Sequence, residues 1–224
     1  MALVQSLILV GGGGTGSDVM SLIEACNQLN DVQRYEVRGL LDDGAEAGSY
    51  RFGVKVLGGL DQGAELCAQD PDVLLVDCMG SPDNYTRRKV VLTDAGLDLG
   101  RFATLIHPHA SVAFDAQIGF GSLIFANVSI LSDVVVGSHV TILANCVLNH
   151  GVRVADFAIL ASNVCLSGDV VVGSASYLGC GVNVKGRIKI GAGALAGLGS
   201  AVIRDIADGE TVVGVPARPI ARVK

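Results

Sequence analysis

The stretch VLNHGVRVADF, residues 147–157, sets one histidine among aliphatic and small residues, and His150 is one of only four histidines in the 224-residue chain. An imidazole ordinarily titrates close to neutral pH, so it can take up or release a proton under working conditions. A second stretch, GGGGTG at residues 11–16, has the form Gly11-x-Gly13-x-x-Gly16, directly after an apolar run and before a helical one. Glycines in that setting let backbone amides approach phosphate oxygens, and the N-terminus of the following helix adds partial positive charge. Asp42 and Asp43 close the next apolar run, where an acidic side chain can bind a ribose or base edge. At the other end, residues 185–224 hold seven Lys/Arg against three Asp/Glu. That stretch is suited either to a phosphorylated ligand or simply to a solvated surface.

Two kinds of element must position these groups. Through residue 104 strand and helix signals alternate: strands are expected at 6–10, 35–41 and 72–79, and helices at about 17–29, 59–69 and 82–95. Residues 1–104 therefore read as a small α/β domain. That length holds one mononucleotide-binding half and not two, so a nucleoside diphosphate suits the glycine loop better than NAD. Beyond it the period changes. Stepping by six from Ile106 to Val202, sixteen of seventeen residues are Val, Ile or Leu, with Ala196 the exception. Such hexads predict a parallel β-helix over 105–224, each hexad giving one short strand and a corner, with three hexads per triangular coil and between five and six coils. His150 is the third residue of the hexad Leu148–Arg153, a position that turns outward.

Composition narrows the function classes. Half the residues are hydrophobic, only 4% are aromatic, and 30 are glycine, which suits many short strands with tight corners. The net charge of −6 argues against nucleic acid as a general partner. Residues 1–104 carry 8 basic and 15 acidic groups, and residues 105–224 carry 8 and 7. Six cysteines without a CxxC pair read as buried thiols in a reducing compartment, with no zinc or other metal site expected. The run Leu7–Val10 is too short for a signal peptide or membrane span, so a cytoplasmic protein without membrane insertion is expected.

The phrases LIHPHASV, NHGVRVADF, GSASYLGCGVNV and VVGVPARPI resemble the hexapeptide-repeat acyltransferases, whose β-helix is left-handed. With LILVGGGGTG and GLLDD in front, the whole chain resembles the bacterial nucleotide-sugar N-acetyltransferases. These acetylate the 4-amino group of UDP-, dTDP- or GDP-linked deoxysugars for surface glycans such as lipopolysaccharide, and the sialic acid O-acetyltransferase-like proteins are near relatives. The resemblance implies an N-terminal half-Rossmann domain, acetyl-CoA as co-substrate and a homotrimer with active sites between neighbouring β-helices. It places nucleotide-sugar contacts on Gly13, Gly14, Thr15, Asp42 and Asp43, with Gly80 lining the same site. Coenzyme A is assigned to Gly168, Cys180 and Leu198, with Gly168 near the thioester and Arg218 toward the adenosine phosphates.

By the same resemblance His150 is the general base. Three departures stand out: Thr15 replaces a frequent histidine, Gly151 an Asp or Glu beside the base, and Ile159 a second histidine. Asp156 is a candidate for the missing carboxylate. His107 is expected to lead into the first coil, and His109 and His139 to lie at the surface. Alternatives are O-acetylation on the same fold or a non-catalytic trimer that binds nucleotide sugar. A hexapeptide carbonic anhydrase lacks its zinc histidines here, and a pyridine-nucleotide oxidoreductase leaves the β-helix unexplained.

Overall fold

A computed structural model describes residues 4–28 and 34–220, and the chain divides into two compact units, residues 1–108 and 109–224. In the first unit the apolar runs form a sheet. Strands β1 (Gln5–Val10), β2 (Tyr35–Leu41), β3 (Tyr50–Arg51), β4 (Val54–Gly58) and β5 (Leu74–Asp77) lie in the order β3-β4-β2-β1-β5. The β1–β2, β1–β5 and β2–β4 pairs are parallel, and β3 closes the edge as an antiparallel hairpin with β4. Sequence reading found β1, β2 and β5 but missed the hairpin, whose two-residue β3 is too short and polar to show a period. Helices α1 (Gly14–Gln28), α2 (Gly63–Gln69) and α3 (Arg88–Asp94) follow β1, β4 and β5. In α1, Val19, Leu22, Ile23 and Cys26 are buried, the i, i+3, i+4, i+7 stripe that binds a helix to a core. Helix α1 begins at Gly14, three residues before its expected start; residue 29, its expected end, lies outside the described residues.

The order of the sheet decides where a ligand can sit. Strand β1 is followed by neighbours on opposite sides, β2 on one and β5 on the other. The loops leaving their C-terminal ends therefore diverge and open a crevice.

The second unit is a parallel β-helix. Its two-residue strands pair with the strand eighteen residues on, as in Ser129↔Val147, Val135↔Arg153 and Thr141↔Ile159. They stack into three sheets, one through Val147–Leu148, one through Arg153–Val154 and one through Ile159–Leu160. Every sixth residue from Ile124 to Val202 is at most 2% exposed, from Ile130 and Leu148 to Ala196. Burying each Val, Ile and Leu side chain of this ladder contributes roughly 1.5–3 kcal/mol. The earliest rungs differ: Ile106 and Val112 are 39% and 36% exposed, because no earlier coil covers that end.

A second period of six runs beside the first. Every sixth residue from Gly121 to Gly199 has a positive φ, including Asp133, Gly151, Asp169 and Arg187. Gly, Asn and Asp, which tolerate this left-handed conformation best, fill ten of those corners. The last strands, Thr211–Val213 and Arg218–Ile220, form an antiparallel pair on the third sheet. No described helix is long and apolar enough to cross a membrane.

Candidate active site

In the first unit the loops after β1, β2 and β5 enclose a cleft of about 340 Å³. All six residues assigned to the nucleotide sugar line it: Gly13, Gly14, Thr15, Asp42, Asp43 and Gly80. Their roles separate on inspection. Asp42 is a structural clamp, because one carboxylate oxygen accepts the Gly12 N–H and the other the Gly44 N–H at 2.7 Å. Asp43 uses one oxygen to accept the Leu60 N–H at 2.8 Å, capping the turn Leu60–Gln62. Gly11, Gly12 and Gly16 are glycine for reasons internal to the chain. Gly11 has φ +98°, a Cβ at Gly12 would overlap the Asp42 carboxylate, and one at Gly16 would lie 2.7 Å from the Phe52 ring.

Gly13 and Gly14 are different. A Cβ on either meets nothing within 4 Å, and neither has a positive φ. Both are exposed at the start of α1, whose first turn carries no acidic residue. The bare amides and the uncompensated helix end suit an anion in close approach.

The floor on the β5 side is held from below. Asp77 and Arg88 form an ion pair at 2.8 Å with side chains 0% and 1% exposed. The other Asp77 oxygen accepts the Met79 N–H at 2.9 Å, and Asn84 Oδ1 accepts the Ser81 N–H at 3.0 Å. Ser81 and Asn84 line the cleft as well; sequence reading missed them because nothing in their spacing marks them. A larger recess of about 770 Å³, along α1 and β2 to β4, contains none of the assigned residues.

In the second unit His150 is exposed and leaves the strand Val147–Leu148 at the corner between the first and second sheets. Gly168 sits at the same corner one coil on. A Cβ there would fall 2.5 Å from His150 Nε2 and 2.7 Å from Cε1, so the missing side chain makes room for the imidazole. Cys180 and Leu198 are also eighteen residues apart, but at the corner between the third and first sheets. Both are exposed, Leu198 by 81%. Arg218 is exposed on the terminal hairpin, beside Arg204, Asp205 and Glu210. One chain thus brings His150 to Gly168 and Cys180 to Leu198, and keeps the two pairs at separate corners.

Several expectations need correction. His139 is not a surface residue: it is 1% exposed, stacked on Phe157 at 4.6 Å and edge-on to Phe120 at 5.6 Å. Phe157 lies one coil on, so the rings stack where the coils do. Asp156 does not serve His150, since it sits at the next corner and accepts the Ser138 N–H at 2.8 Å. Ile159, where the family has a histidine, is 2% exposed. The cysteines are not all buried: Cys180 is exposed and Cys165 half-buried, whereas burial pushes the Cys146 thiol up to about 12. Among the described residues no group of three or more His, Cys, Asp or Glu is arranged to hold a metal ion.

Comparison with known proteins finds the same fold elsewhere. Residues 115–150 fit the bacterial transferase hexapeptide family, described by six repeats. A variant of perosamine N-acetyltransferase from Caulobacter crescentus with a histidine changed to asparagine, in complex with CoA and GDP-perosamine, superposes with a TM-score of 0.83. It is 27% identical, and the match covers 99% of this chain and 100% of that one. The acetyltransferase domain of PglB from Neisseria gonorrhoeae, in complex with acetyl coenzyme A, gives 0.79 at 28% identity, over 97% and 100% of the two chains. WeeI from Acinetobacter baumannii shares the fold, with a TM-score of 0.78 at 22% identity over 96% and 99%. No curated protein sequence matches the chain. The similarity to hexapeptide-repeat acetyltransferases thus spans both units.

Proposed function

We propose that the chain is an acetyl-CoA-dependent N-acetyltransferase acting on the amino group of a nucleotide-linked amino-deoxysugar, in the synthesis of a surface glycan. The observation that carries this reading is the match over the whole chain to an N-acetyltransferase held with CoA and GDP-perosamine. In this reading the first unit is a half-Rossmann domain. Its Gly13, Gly14 and Thr15 amides receive the diphosphate, Asp43 offers its second oxygen to the nucleoside, and Gly80 lines the wall. Asp42 contributes by holding the glycine loop. The β-helix is left-handed, three copies assemble in the cytoplasm, and coenzyme A lies between neighbouring helices. Gly168 then lies near the thioester, Cys180 and Leu198 along the pantetheine, and Arg218 near the adenosine phosphates.

Chemically, the sugar amine attacks the thioester carbonyl carbon. A carbon–nitrogen bond forms, the carbon–sulfur bond breaks, and coenzyme A leaves as the thiolate. His150 takes the proton that the nitrogen must lose, and that proton passes on to the leaving sulfur or to solvent. The His150 imidazole is exposed and, among the described residues, has no hydrogen-bond partner, so it is available for this. Incubation with acetyl-CoA and UDP-, dTDP- or GDP-linked 4-amino sugars should release free thiol and an N-acetylated product with one of them. His150→Ala should lower kcat by roughly 10²–10⁴ without loss of fold. Thiol release with no amino sugar of any of the three nucleotides would refute the reading, and turnover close to wild type in His150→Ala would remove His150 as the base.

A further inference from the structure

The turn between β3 and β4 leans over the glycine loop. Arg51 and Val54 pair across the hairpin, so Phe52 and Gly53 are its two central residues, with φ of +52° and +75°. Positive φ at both positions is the geometry of a type I′ turn. A phenylalanine is an uncommon first residue for it, and here the ring packs against the start of α1: a Cβ on Gly16 would fall 2.7 Å from its Cε2. Arg51, the residue before, reaches the loop itself. Its Nη1 donates to the Gly12 carbonyl at 3.3 Å, and a Cβ on Gly12 would lie 2.8 Å from its Cδ.

The cleft needs a cation nearby. Its lining includes two carboxylates, Asp42 and Asp43, and no Lys or Arg. A diphosphate entering there meets two like charges, which the partial positive end of α1 offsets only in part. Other arginines of this unit are already engaged: Arg88 is buried in its pair with Asp77, and Arg38 lies 3.7 Å from Glu36. Arg51 is exposed and, among the described residues, makes no ion pair. Its one bond to a carbonyl leaves most of the five guanidinium donors unspent.

We propose that Arg51 is a binding residue for the diphosphate of the nucleotide sugar, a cation that the hairpin sets at the rim of the glycine loop. The proposal rests on the cleft taking a nucleoside diphosphate. In this arrangement the Gly13 and Gly14 amides approach the phosphate oxygens from the helix end. Arg51 meets them from the hairpin, with a planar fork suited to two oxygens at once. Phe52 serves it by holding the hairpin to α1. Arg51 contributes affinity and not acid–base chemistry, so its loss acts on the nucleotide sugar and leaves KM for acetyl-CoA unchanged.

The test is calorimetric titration with UDP, dTDP and GDP at low and high salt. The wild-type protein should bind at least one of them, and Arg51→Gln should bind that one roughly tenfold more weakly at low salt. Glutamine keeps an N–H for the Gly12 carbonyl and loses the charge, so the denaturation midpoint should not move. The gap should close as salt rises, because screening weakens the ionic contact, and Arg51→Lys should keep part of the affinity. Equal binding by the wild type and Arg51→Gln at low salt overturns the proposal. So does a gap of the same size at both salts, which marks Arg51 as no more than a strut for the Gly12 carbonyl. If the wild type binds none of the three diphosphates, the cleft does not take a nucleotide, and the proposal falls with that reading.

Discussion

Single atoms decide which glycines the fold itself requires. Gly12 and Gly13 are neighbours in the same loop, yet a Cβ on the first would overlap the Asp42 carboxylate and a Cβ on the second would meet nothing. Gly12→Ala should therefore loosen the loop and lower stability by about 1–3 kcal/mol, the cost of forcing atoms into a packed site. Gly13→Val should leave the denaturation midpoint nearly unchanged and raise KM for the nucleotide sugar at least tenfold, with KM for acetyl-CoA untouched. Equal effects of the two variants on stability would mean that Gly13 is structural after all. The same reasoning bears on Gly151→Glu. A side chain there would overlap the Asp169 carboxylate at a corner with φ of +70°, so that substitution should lower stability.

At the scale of elements, the cleft depends on how β5 hands the chain over to α3. The Asp77–Arg88 pair is fully buried, and Asp77 also receives the Met79 amide, so one carboxylate couples the helix to the cleft floor. Removing one partner leaves an uncompensated charge in a dry interior. Arg88→Met should cost about 3–5 kcal/mol in chemical denaturation and raise KM for the nucleotide sugar. If stability falls by less than about 1 kcal/mol, the pair is not what fixes the loop. In the β-helix the same logic runs through Leu148. It is 0% exposed two residues before His150, so the outward imidazole is held by an inward leucine.

For the whole molecule, the separation of His150–Gly168 from Cys180–Leu198 within one chain has a direct consequence. If coenzyme A spans both pairs, they come from two copies, and a lone chain is inactive. Light scattering should give about three times the chain mass of 22.9 kDa. Co-expressing His150→Ala with Leu198→Asp should also restore part of the turnover that each lacks alone, because some interfaces then combine two intact corners. A monomer at micromolar concentration, or no recovery in the mixed assemblies, would place the whole site on one chain.

How much of this was legible beforehand follows from which interactions are local. A β-helix turns every sixth side chain inward, so the ladder from Ile124 to Val202 is printed in the sequence as a period. The glycine loop is likewise a short contiguous motif between a strand and a helix. The left-handed corners carry a period too, rich in Gly, Asn and Asp, and eighteen residues beyond Gly151 that period points to Asp169. Reading it required knowing that residues one coil apart touch, and which of the two facing side chains is small enough to give way. Only the folded chain decided that Gly168 yields to His150, that Gly151 yields to Asp169, and that His139 is buried by the ring of Phe157. It also decided that Asp42, well placed for a ribose, spends both oxygens on backbone amides. A period records the direction in which a side chain leaves the backbone, whereas what it meets depends on packing against residues far away in sequence.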